Sequence, residues 1–267
     1  MIALARKSYA YFRIILTEMF IYRGAAFLWI IADSMTALVL PLVWIAAASG
    51  EGYVGGLSVQ QIVLYYVAAL VLSQFVVSHM MWDIAYEIRE GIFSAYLVRP
   101  MNYFWSQFVR NIAWRVGKLI MFLPLFVAML VGYHSLLIGA KVHVSPLLIV
   151  VMILGHTLSF VNAFSLGLIA LRTQEAYSII RLYYLPEMFL SGRLFPLAML
   201  PDWAATGAMF TPFRYTVAFP VEMMLGRVSD EAVLVGIGAQ LCWIALMSGV
   251  GWVLWRTGLK TYTGVGM

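Results

Sequence analysis

Twenty-five consecutive residues, Ser58 to Trp82, contain no Asp, Glu, Lys or Arg, and nothing constrains this chain more. A helix crossing a hydrocarbon core of about 30 Å needs roughly 20 apolar residues. In that medium the backbone N–H and C=O groups must find partners within the segment, which leaves a helix as the solution for an isolated run. Runs of this character occur at approximately 24–48, 59–82, 117–138, 146–171, 176–196 and 232–255. The chain is therefore expected to be an all-α polytopic membrane protein with six transmembrane helices. Only 11% of its residues are charged, against about 25% in soluble domains.

Charge is concentrated between the second and third runs, in the polar island Asp83 to Arg115. Within it, Ile84, Ile88, Ile92 and Ala95 recur at helical spacing, so a short helix lying on the membrane surface would present Glu87, Glu90 and Ser94 outward. This island reads as the place where an aqueous partner docks; the bland alternative is a solvated linker. The short turn Leu171 to Glu175 is a second, smaller candidate contact.

The net charge of +5 has a topological explanation. With the N-terminus cytoplasmic, the inner segments hold Arg6, Lys7, Arg13, Arg23, Arg89, Arg99, Arg110, Arg115, Lys118, Arg172, Arg181, Arg256 and Lys260, and the outer ones only Lys141, Arg193, Arg214 and Arg227. This positive-inside bias places both termini in the cytoplasm and requires no nucleic acid. The lone Cys242 excludes an intramolecular disulfide. His79, His134, His143 and His156 lack ligand spacing, so no metal site is expected. The sequence has no phosphate loop, HExxH or GxSxG, so a catalytic function is not expected.

Residues 1–23 are expected to form an interfacial amphipathic helix. Leu4, Ala5, Tyr9, Phe12, Ile15, Leu16, Met19 and Phe20 fall on one side, and Arg6, Lys7, Arg13, Thr17 and Glu18 on the other, toward anionic inner-leaflet lipid. Asp33 interrupts the first crossing and is expected to face the bundle interior, as a substrate or gating contact or as a structural hydrogen bond. Pro124 marks a kink in the third, while His156 and Asn162 in the fourth read as packed polar residues. Phe189 to Arg227 holds Pro196, Pro201, Pro212 and Pro220 yet is too apolar for an exposed loop. It reads as short helices re-entering the outer leaflet, with Glu187, Arg193, Arg214 and Glu222 as substrate-path candidates. The alternative is a plug whose charges pair with one another. One transmembrane domain over 1–267 results: interfacial helix 1–23, crossings one and two 24–82, coupling loop 83–115, crossings three to five 116–196, re-entrant segment 197–231, last crossing 232–255 and cytoplasmic tail 256–267.

Three stretches carry a family resemblance: IREGIFSAYLVRP (Ile88–Pro100), SGRLFPLAMLPDW with PFRYTVAFPVEMMLGR (Ser191–Trp203 and Pro212–Arg227), and the tail GLKTYTGVG (Gly258–Gly266). In these the chain resembles the six-helix bacterial permeases of the ABC exporter type-2 class. The resemblance implies a coupling helix in which Glu87, Arg89, Glu90, Gly91 and Arg99 meet a separate ABC ATPase subunit. It also implies a second permease subunit, same or related, no cofactor in this chain (ATP and Mg being held by the ATPase), and export across the inner membrane. Substrate would pass along crossings one, two and five, where the carboxylates of Asp33 and Glu187 favour a cationic or amphipathic compound. The rivals are an ion-coupled secondary transporter, for which no internal repeat with matched broken helices is found, and a membrane enzyme or scaffold, for which no catalytic cluster is found.

Sidedness is directly testable. In a Cys242→Ser background, Glu90→Cys should react with a membrane-impermeant maleimide only after cells are permeabilised; reaction in intact cells would invert the topology.

Overall fold

The computed structural model describes residues 2–48 and 53–263. In chain order its helices are α1 (Ile2–Ile21), α2 (Arg23–Ala47), α3 (Val59–Val76), α4 (Met80–Arg89), α5 (Ile92–Leu97), α6 (Tyr103–Gly132), α7 (His134–Leu137), α8 (Pro146–Gly167), α9 (Ala176–Leu190), α10 (Asp202–Met209), α11 (Ala218–Met224) and α12 (Asp230–Gly258). Strands β1 (Tyr53–Val54) and β2 (Leu57–Ser58) make a small antiparallel hairpin before α3. The protein is an all-α polytopic membrane protein. Among the described residues, five segments are long and apolar enough to cross a membrane: Ala26–Ala47, Val59–Arg89, Tyr103–Gly132, Pro146–Leu171 and Asp230–Gly258. Part of the first outer turn (residues 49–52) and the end of the tail motif (residues 264–267) lie outside the described residues.

The charge-free run that opens the sequence argument becomes the centre of the bundle. Of the most apolar stretch of Val59–Arg89, 67% is buried inside protein, against 17% for Tyr103–Gly132 and for Asp230–Gly258. A helix apolar on every side has no polar face to spare for solvent, and α3 packs on α2, α6, α8 and α11. Its start is fixed by a reciprocal cap in which the Ser58 hydroxyl accepts from Gln61 N and the Gln61 side chain accepts from Ser58 N.

One end of the molecule gathers the polar segments. Lys7 donates to the carbonyl of Pro100 at 3.3 Å, and the hydroxyls of Ser94 and Tyr262 lie 3.0 Å apart. The start of α1, the α4–α5 bend and the tail therefore share a face, as one topology with both ends on the same side requires. At the opposite end the hairpin lies beside Met199, and His143 N donates to Met224 O at 2.8 Å. α1 does not lie apart from the bundle. It runs alongside the first half of α6, with Trp105 donating to the Ser8 hydroxyl at 2.8 Å and Leu16 and Met19 over Gly117. Of its expected apolar side, Ile15 and Met19 are buried while Leu4, Tyr9 and Phe20 remain exposed.

Three boundaries differ from the sequence expectation. The third crossing does not begin near 117: α6 starts at Tyr103, capped by the Asn102 side chain, which accepts from Phe104 N at 2.9 Å. Arg110, Arg115 and Lys118 are thus helical residues, not loop charges, and the loop 83–115 shrinks to the α4–α5 bend and residues 98–102. The run 59–82 is broken, α3 stopping at Val76 and α4 resuming at Met80. The fifth run does not continue to 196. α9 has 15 residues, about 22 Å at 1.5 Å per residue, and ends at Ser191-Gly192.

That end is where the proline-broken segment, expected to be re-entrant, begins. Gly192 has φ +79°, its carbonyl accepts from Tyr65 OH at 2.7 Å, and Tyr66 OH donates to Leu194 O at 2.9 Å. The chain reaches the hairpin at Met199, passes through α10, and returns so that Ala218 N donates to Ser191 O at 2.9 Å. Gln240, in α12, donates to the carbonyls of Tyr215 and Val151. Backbone freed by the prolines is thereby satisfied within the protein, as apolar surroundings demand.

Gly192→Ala should destabilise the fold by about 1–3 kcal/mol, because a left-handed backbone is strained for alanine and its Cβ would sit 2.7 Å from the Ala218 Cβ. Thermal unfolding in detergent measures this, with Gly24→Ala, which has open space around it, as the near-neutral control.

Candidate functional site

The α4–α5 bend is made by Gly91, whose φ of +75° interrupts the helix expected over Ile84 to Ala95. The two halves therefore turn different faces inward: Ile84 and Ile88 are buried from α4, but Phe93 and Tyr96 from α5, leaving Ile92 exposed. Glu87 does not face outward. It is 5% exposed and takes hydrogen bonds from Tyr103 and Gln107, both 2.7 Å, and an ion pair from Arg110, which also reaches Asp83 at 3.6 Å. The physical reason is the early start of α6, which brings these donors under α4. Glu87 ties the bend to α6; the exposed charges here are its neighbours Arg89, Glu90 and Arg99.

Arg89 and Glu90 pair at 3.1 Å with both side chains exposed, and Arg89 also lies 4.8 Å from the Tyr177 ring centroid. Exposed Arg99 stacks on Tyr96 at 4.3 Å. Arg89 and Tyr177, together with Arg172 and Tyr262, line a groove of about 190 Å³. The 171–175 turn and the bend are thus one surface. Beneath it, Tyr11 of α1 meets Tyr96 at 3.4 Å, and burial, reinforced by that hydroxyl, holds its own hydroxyl above the ordinary tyrosine range, so it remains a neutral hydrogen-bonding group.

From the bend, α4 leads directly to the break in the second crossing. Arg115 donates to Gln74 O at 2.8 Å and Val77 O at 3.0 Å, and His156 approaches Val76 O at 3.4 Å. Ser78 N donates to the Ser159 hydroxyl and Asn111 to the Ser78 hydroxyl, each 2.8 Å. Among the described residues no carboxylate pairs with Arg115. The negative end of the α3 dipole takes that role.

Beside the break lies a cleft of about 100 Å³ between α2 and α9, floored by α3 and lined by Asp33, Thr36, Ser73, Gln74, His79, Lys118, Tyr184 and Arg193 among others. Asp33 is ion-paired with Lys118. His79, at the start of α4, is hydrogen-bonded to Tyr184 and stacked on its ring. Glu187 pairs with Arg193 at 3.4 Å and lines a smaller adjoining cavity that shares His79 and Tyr184. The sequence candidates Asp33, Glu187 and Arg193 thus come together. Arg214 and Glu222 do not join them; they pair with each other at 2.7 Å, and neither lines either cavity. Every carboxylate proposed for the path has a cation beside it, which removes the argument for a substrate that is only cationic. Lys118, His79, Gln74 and Arg115 were not among the sequence candidates. The legible signal was Asn102 followed by fourteen residues, Tyr103 to Val116, without Gly or Pro, which prolongs the third helix to Lys118 and beyond.

A sequence model of the family described as ABC-2 family transporter protein matches residues 33–266. No curated protein matches the chain.

Asp33 and Lys118 are largely rather than fully buried, so removing one leaves the other uncompensated at a cost below the roughly 3–5 kcal/mol of a fully buried pair, whereas replacing both is close to neutral. Lys118→Met should therefore be destabilised, and Asp33→Leu with Lys118→Met should recover most of the loss. Equal instability of the two variants, read by thermal unfolding, would deny that the pair is coupled.

Proposed function

Because the chain belongs to the ABC-2 transporter family, we propose that it is the membrane permease subunit of an ATP-driven exporter. It moves a small amphipathic compound out across a bacterial inner membrane, with both termini in the cytoplasm. The energy comes from a separate ABC ATPase subunit, which holds ATP and Mg and grips the α4–α5 bend through Arg89, Glu90, Gly91 and Arg99. A second permease subunit, same or related, completes the path, and the basic side of α1 rests on anionic inner-leaflet lipid.

One observation carries this reading. The exposed charges at the bend are joined by a single ten-residue helix, α4, to the break at Val77–His79, which borders the polar cleft. A push on the bend is passed along a rigid rod to His79 and Tyr184. Glu87, held by Arg110 on α6, prevents the rod from swinging free of its neighbour. Bistable packing, rather than gradual bending, is how such a stroke is converted into a change at a distant site.

Glu90→Lys combined with Arg99→Glu reverses two exposed charges, so insertion and stability should change by less than about 1 kcal/mol. ATP hydrolysis by the copurified complex should continue while transport into inside-out vesicles falls. Transport at the wild-type rate by a normally assembled complex would remove the bend from the coupling route.

A further inference from the structure

The cleft between α2 and α9 and the cavity adjoining it are together electrically balanced. Asp33 pairs with Lys118 in the cleft lining, and Arg193 of that lining pairs with Glu187 of the adjoining cavity, so the four charges sum to zero in largely apolar surroundings. A guest with one charge leaves a surplus that such surroundings disfavour strongly. A head carrying both signs leaves none: its cation can stand at Asp33 while its anion stands at Lys118, each protein charge exchanging one partner for another. The cleft also holds an acceptor without a donor. Gln74 is 3% exposed and lines the cleft, yet its Oε1 has no hydrogen-bond partner among the described residues. A buried acceptor left in that state is costly until a donor arrives, and a protonated amine with N–H groups supplies one where a quaternary ammonium cannot.

Beside Thr36, Ser73, His79 and Tyr184 the lining is apolar, including Ala37, Leu70, Met188 and Leu194. On α2 and α9, the helices that flank the cleft, Met35, Val39 and Leu185 are exposed and offer apolar surface to an attached chain. We propose that this cleft binds the head group of a zwitterionic amphiphile, one bearing both an N–H-donating ammonium and a phosphate or carboxylate. The assignment rests on the exporter reading for its transport meaning, but the binding itself needs neither ATP nor a partner.

The test uses the full chain in nanodiscs of phosphatidylglycerol, which supplies no zwitterionic head. Lauroyl lysophosphatidylethanolamine should bind saturably, about tenfold or more tighter than laurylamine, dodecyl phosphate or lauroyl lysophosphatidylcholine. Gln74→Leu should erase the preference for the ethanolamine over the choline head. The folded Asp33→Leu, Lys118→Met double variant should lose the preference for two charges over one. Repeating the titration in phosphatidylethanolamine nanodiscs distinguishes the sources: competition identifies the bilayer lipid itself as the ligand, and undiminished binding identifies a free amphiphile. Absence of saturable binding, equal affinity for laurylamine, or wild-type selectivity in the double variant would overturn the proposal. These results stand apart from the exporter reading, which fails separately if no ATPase associates or if the charge-reversed bend still drives transport.

Discussion

A helix that stops in the middle of an apolar bundle exposes carbonyls that nothing there can solvate, and the architecture is arranged around satisfying them. The broken second crossing ends with the carbonyls of Gln74 and Val77, and Arg115 reaches across from α6 to hold both. An arginine half-buried without a carboxylate would ordinarily be costly. Here the two problems are mutual solutions, because the negative end of α3 stabilises the guanidinium and the guanidinium terminates α3. The arrangement fixes where α4 begins and therefore where the bend at Gly91 and the side chain of His79 are placed.

The same logic of local compensation recurs at each polar cluster. Glu87 is deep enough to be costly alone but takes two neutral donors and Arg110. Asp33 and Lys118, and Glu187 and Arg193, form pairs from segments far apart in sequence or across a sharp turn. The re-entrant segment returns its backbone groups to Tyr65, Tyr66, Ser191 and Gln240. Polar groups in this protein therefore gather around the break at Val77–His79 and the turns at Gly91 and Gly192, where a small displacement alters several partners at once. That is the property a transport cycle requires of its moving parts.

Much of this was legible before any coordinates. The apolar runs give the membrane class and the approximate place of most crossings, since chain length against hydrocarbon thickness leaves few choices. The proline spacing between Pro196 and Pro220 gives the segment of short broken helices, and the charge cluster after the second run gives the exposed charges at the bend. The sequence misled where a charge was equated with a loop. Arg115 and Lys118 interrupt an apolar pattern and look like the edge of a crossing, although the helix passes straight through them. Glu87 looked outward as a consequence: with Arg110 taken for a loop charge, nothing placed the donors of α6 beneath α4.

Hydrophobic periodicity and charge count thus determined by themselves the solvent, the helical class and the clustering of polar segments at one end, because these depend on single segments meeting a medium. Which charges are free and which are bound was decided only by the tertiary structure. The partner of Asp33 lies 85 positions away, and that of Arg115 is a pair of backbone carbonyls with no signature in side-chain identity. A pairing energy belongs to two groups brought together by the fold, so it appears nowhere in the composition of either segment.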